Sequence, residues 1–190
     1  MRLTARFILG LCLVLGQAKS HAHEALVNKA VVEKVSSQSL LLRFEVDPAK
    51  LMHRGLEARV SFETFLSRYA AMPANQFQQA VDQLQTRVAK ELSVVGADGA
   101  QLVVSRWTWP SSRQWQEALR VQLSLYKARP DDQGHMPAIA VQATAVGLRE
   151  LSQVQLNLPK MMQPIFVQAS ATDSFWLTDK APAAVVSFEL

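Results

Sequence analysis

The sequence predicts an α+β fold that is mainly β: an antiparallel β-sandwich of Ig-like type with a helical insertion. Three observations predict it. Leu40, Leu42, Phe44 and Val46 alternate with Leu41, Arg43 and Glu45, the period of two expected where one sheet face meets a core and the other meets water. Phe77, Val81, Leu84, Val88 and Leu92 recur at three and four residues, an apolar helical stripe with Gln, Asp, Arg and Lys opposite. Beyond Asp98-Gly99, short apolar alternations return roughly every ten to fifteen residues between prolines and glycines, a spacing that fits an antiparallel sandwich better than βαβ units.

The chain begins with an export signal. Arg2 and Arg6 supply the positive region, Phe7 to Gly16 is the apolar stretch, and small residues follow at the spacing a signal peptidase reads. Cleavage after Ser20 releases His21, and cleavage after Ala22 releases His23. Residues 1–22 are thus expected to be a signal peptide, with 23–190 a single β-rich domain in the periplasm or outside the cell. The apolar stretch is about half the roughly 20 residues a membrane-spanning helix needs. Cys12 lies inside it and is the one cysteine of the chain, so the mature protein is expected to be cysteine-free.

Removing the signal takes away Arg2, Arg6 and Lys19, three of 20 basic residues, and none of the 16 acidic ones. The sequence pI of about 9.5 therefore belongs largely to the signal. A nearly neutral mature chain argues against nucleic acid as a partner, since binding it requires a concentrated Lys/Arg surface.

Within the mature chain, Leu26 to Val35 is expected to be a strand paired with 40–46 through Ser36 to Ser39. After Asp47-Pro48 the pattern changes. Phe62, Phe65, Leu66 and Tyr69 suit a short helix, and Pro73 opens the longer one, placing helices near 61–92. Asp98-Gly99 between Val94-Val95 and Leu102-Val103-Val104 predicts a turn, because glycine takes a positive φ readily. Leu119, Val121, Leu123 and Leu125 alternate and predict a strand. Further strands are expected at Ile139 to Ala143, Val154 to Leu158, Ile165 to Ala169, Phe175 to Thr178 and Val185 to Leu190.

Candidate chemistry is sparse. The segment His21-Ala22-His23-Glu24 follows the signal directly. If cleavage follows Ser20, His23 is the third residue and joins the free amine and two amides in a square-planar nitrogen site suited to Cu(II) or Ni(II). If it follows Ala22, His23 offers both amine and imidazole, with Glu24 beside it. The bland alternative is a polar, frayed terminus. Met52-His53 and His135-Met136 pair soft and borderline ligands, with Asp131 and Asp132 near the second, but both read first as loop edges, where a methionine fills a gap and Pro130 and Gly134 frame a polar turn. Trp107, Trp109 and Trp115 surround Pro110; they form either a stacking surface for a sugar or peptide, or core packing. There is no nucleophile elbow, zinc-protease motif or glycine-rich phosphate loop, and the whole chain has only seven glycines. Enzymatic activity is not expected.

The order of His21-Ala22-His23-Glu24, strands ending at Phe44-Glu45-Val46-Asp47, helices through Ala80 to Leu92, and Val95-Gly96-Ala97-Asp98-Gly99 is similar to the extracytoplasmic domain of HupE/UreJ-like bacterial membrane proteins. The membrane helices of that family have no counterpart up to Leu190. The resemblance implies nickel or cobalt handling, and so a metal-linked accessory role beside a membrane or envelope protein. The expected function is therefore a non-enzymatic periplasmic accessory domain. The alternative is an envelope-assembly or ligand-binding module that takes peptide or glycan at a sheet edge or at the Trp107/Trp109/Trp115 surface.

Overall fold

The computed structural model describes residues 28–128, 138–169 and 173–188, with helix and strand in about equal share. The order is β1 (Asn28–Ser36), β2 (Ser39–Val46), α1 (Pro48–Leu56), α2 (Phe62–Ala70), α3 (Ala74–Glu91), β3 (Ser93–Gly96) and β4 (Val103–Thr108). Then come α4 (Ser112–Ala128), β5 (Ile139–Val146), β6 (Gln153–Asn157), a 3-10 turn (Lys160–Met162), β7 (Ile165–Ala169), β8 (Asp173–Leu177) and β9 (Ala183–Ser187). Six strands form one sheet in the order β4-β5-β2-β1-β7-β8, and three form a second, β3-β6-β9. Pairing is antiparallel except between β1 and β7.

The alternation read in 40–46 sets the large sheet. Phe44 faces Ala30 on one side and Val141 on the other, while Leu42 faces Val32 and Ala143, so these side chains share one face. That face is buried, together with Leu40, Val46, Val167 and Ile165. Each such large side chain contributes roughly 1.5–3 kcal/mol on leaving water. Phe77, Val81, Leu84 and Val88 of α3, Val94 of β3, Val154 and Leu156 of β6 and Val186 of β9 enter the same core. The opposite face of the large sheet carries the Glu33–Arg43 ion pair at 3.2 Å, as alternation requires.

Local chemistry starts the helices. Asp47 caps α1, accepting from the Ala49 and Lys50 amides at 3.0 Å, and Pro48 fills the first turn, where an N–H has no helical partner. Ser61 caps α2. Gly55 lets α1 approach α3: a Cβ there would sit 2.4 Å from Leu84 Cδ1 and 3.0 Å from Met161 Sδ. Gly99, at φ 79°, makes the turn after β3 that its sequence predicts.

Two segments correct the sequence reading. Residues 112–128 are helix α4, not a strand, and 48–56 form α1, to which no element was assigned. With both helical, the fold is α+β in even measure rather than mainly β. In α4 the buried positions are Trp115, Gln116, Ala118, Leu119 and Gln122, a helical stripe, whereas Val121 and Leu125 of the apparent alternation are 41% and 43% exposed. The helix has its own start signal. Ser111 and Gln114 form a capping box: the Gln114 side chain accepts from the Ser111 amide at 2.8 Å, and Ser111 Oγ accepts from the Gln114 amide at 3.4 Å.

Candidate functional site

The most distinctive surface lies along β4, an edge strand of the large sheet. Val103 pairs with Val146 of β5 and Ser105 with Thr144, after which the register shifts before Thr108 meets Gln142. Arg106 sits at this shift with φ 53°, a left-handed conformation that a side chain adopts only at some cost. Such a bulge ends regular pairing and re-aims the side chains that follow. Trp107 and Trp109 then stack, with ring centroids 5.2 Å apart and planes 15° from parallel. Trp109 leans on Trp115 at 6.3 Å and 40°.

The structure thus brings all three predicted tryptophans together, though in different roles. Trp115 comes from α4 and is fully buried, its Nε1–H without an acceptor among the described residues. It belongs to the core. Trp107 and Trp109 are half-buried against that core. Because their faces cover each other, the stack presents its outer ring face and edges rather than two separate platforms.

Sequence reasoning missed the corner beside this stack. Val103 and Val146, directly opposite one another on the solvent face of the sheet, are 67% and 42% exposed, and Leu148 just beyond is 94% exposed. The corner is held by hydrogen bonds from the Gly147 amide to the Gln38 carbonyl at 2.9 Å and from the Leu151 amide to Ser37 at 2.7 Å. Leu148 borders a cleft of about 490 Å³ between the turn after β3 and the loop after β5, which Arg149 and Asp98 bridge at 3.5 Å. Alternation alone marks Val103 and Val146 as outward-facing. What it cannot show is that they meet, because that depends on the pairing of two distant strands.

His53 is placed in a structural role. Its Nε2 lies 2.7 Å from the Val60 carbonyl, and its ring packs against Phe62 and Phe65 at 5.4 and 5.2 Å. Because a carbonyl only accepts, Nε2 carries the proton, and the ring fastens the end of α1 to the start of α2. Met52 beside it is buried in the core. His21, His23, Glu24, Asp131, Asp132, His135 and Met136 lie outside the described residues. Among the described residues no group of three His, Cys, Asp or Glu side chains is placed to hold a metal ion. Among them, too, no helix is long and apolar enough to cross a membrane.

One titratable group near the helices is clearly perturbed. Tyr69, near the end of α2, is buried against Phe65 and Phe77, and its hydroxyl donates to Glu57 Oε1 at 3.2 Å. Burial first, then the Glu57 charge and hydrogen bond, push its pKa up to about 12, against a smaller opposing pull from Arg68. This keeps the phenol neutral and structural.

A scan against protein-family models and a search of the curated proteins both found no match.

Proposed function

We propose that this chain is a non-enzymatic accessory domain of the periplasm that docks on a membrane or envelope protein. The observation that carries the reading is the apolar corner at the β4 edge. Soluble surfaces tolerate scattered apolar side chains, but Val103, Val146 and Leu148 lie together at the end of an edge strand whose outer side has no paired strand among the described residues. The sandwich architecture belongs to the same reading. Support for it comes from the hairpin end, where Lys34 of β1 lies over the ring of Phe188, just past β9, at 6.0 Å.

The metal clause rests on residue chemistry alone: His21, His23 and Glu24 at the mature terminus take Cu(II) or Ni(II), in keeping with the nickel or cobalt handling that the HupE/UreJ resemblance implies. Titrating either metal into the mature protein and into a His21→Ala/His23→Ala variant tests it. Equal, weak binding by both dismisses the clause. For the docking clause, a photocrosslinking residue at Val103 in the exported chain should capture an envelope protein, whereas the same probe at Lys90 on the exposed face of α3 should not. Adducts from both positions, or from neither, reject it.

A second reading is favoured by the half-exposed stack of Trp107 and Trp109: a module that takes glycan or peptide on the outer indole face. Ligand quenching of tryptophan fluorescence that disappears in Trp107→Ala supports this reading over the first.

A further inference from the structure

A second cavity, of about 650 Å³, is lined by Arg54 of α1, Arg87 and Glu91 of α3, Lys160 of the 3-10 turn, Gln163 and Asp179. It is an open groove: its charged side chains are exposed, and only Met161 and Gln163 of its lining are buried. We propose that it binds a small organic monocarboxylate that also carries a hydroxyl or amine donor. None of these residues belongs to the β4 corner, so this inference stands apart from the docking reading.

Three cations from three elements line the cavity with two carboxylates, an excess of one positive charge. A monoanion balances that excess, and a phosphate dianion reverses it. The guanidinium groups are already held in place. Arg87 donates to Glu91 Oε1 at 2.7 Å and to the Gly55 carbonyl at 2.6 Å, and Arg54 donates to the Gln163 carbonyl. Each has five N–H donors, so both keep some for a ligand, and their planar fork matches a carboxylate. Among the described residues, neither Arg54 nor Lys160 has a carboxylate within ion-pair distance.

The acceptors in the lining select the second feature of the ligand. Glu91 and Asp179 offer carboxylate oxygens. Gln163 is 2% exposed and both ends of its amide are enclosed, Nε2 donating to the Leu158 carbonyl at 3.0 Å, so it offers the groove no side-chain acceptor. A ligand hydroxyl or amine donates to one of these two carboxylates, directly or through one water.

Saturation-transfer NMR on the mature protein tests this, with lactate, propionate and inorganic phosphate titrated separately. Lactate is expected to saturate and to bind more tightly than either of the others. Lys160→Gln, at an exposed position, is expected to weaken lactate about tenfold, the loss of one charged hydrogen bond. Arg149→Gln, beside the other cleft, should leave lactate binding unchanged. Failure of lactate to saturate, an unaltered constant in Lys160→Gln, or propionate or phosphate matching lactate overturns the proposal.

Discussion

Residues 40–46 and 119–125 carry the same apolar alternation, yet the first is the central strand β2 and the second is the middle of helix α4. In β2 the even positions Leu40, Leu42, Phe44 and Val46 are all buried and their neighbours are not. In α4 only Leu119 of the four alternating residues is fully buried; Val121 and Leu125 face water. The difference shows only when the seven residues are read with those before them. A start signal at Ser111 to Gln114 and the stripe of Trp115, Ala118, Leu119 and Gln122 commit the longer segment to a period of 3.6. Short alternation is therefore ambiguous, and the flanking residues decide it.

The largest test of this contrast is truncation. Leu42→Ala and Leu119→Ala each remove a fully buried side chain and should cost about 2–5 kcal/mol. Val121→Ala, one step along the same alternation, should stay within about 0.5 kcal/mol, because it leaves an exposed helix face. Urea unfolding measures all three. A cost at Val121 equal to that at Leu119 means the segment is extended and α4 is wrong.

The seat of α4 gives the next effect. Gln116 donates to the Tyr69 and Met72 carbonyls at 3.3 and 2.7 Å, and Arg120 to Ala70 at 3.1 Å, so α4 satisfies the end of α2 in a way no strand could. Tyr69, whose carbonyl takes one of these bonds, is buried at the same end of α2. Its pKa rises from 10.0 to about 12 on folding, so its contribution is full below pH 10 and is lost as pH climbs through 12. The loss should be on the order of 2 kcal/mol. Tyr69→Phe removes an ionisable group and should flatten that part of the stability curve. An unchanged alkaline slope in the variant means that the phenol ionises as freely in the fold as out of it.

Much of the fold could be read along the chain because its signals are local. The stripe from Phe77 to Leu92, the hairpin through Ser36 to Ser39 and the Asp98-Gly99 turn each rest on neighbours within a few residues. Helix α1 was not read: Asp47 followed by Pro48 is a start signal, but the helix is short and carries near its end Gly55, whose role is to meet Leu84 and Met161. The candidate sites were less readable. Trp107, Trp109 and Trp115 are close in sequence and could be grouped, but their division into surface and core depends on α4. Val103 beside Val146, and Arg54 beside Lys160 and Asp179, meet only through long-range packing, so no spacing announces them.

The smallest effect examines the start signal itself. Ser111 and Gln114 satisfy helix-terminal amides that β2 has no need to cap, so Ser111→Ala should cost about 1 kcal/mol. Gln114 also accepts from Ser111 Oγ at 2.9 Å, which couples the two side chains. A double-mutant cycle with Gln114→Ala should therefore show the pair costing less than the sum of the single changes. Strict additivity would mean that each residue acts alone and the box is not a unit. The commitment of 112–128 to helix would then rest on the buried stripe from Trp115 to Gln122, and weakening that stripe should matter more than removing the cap.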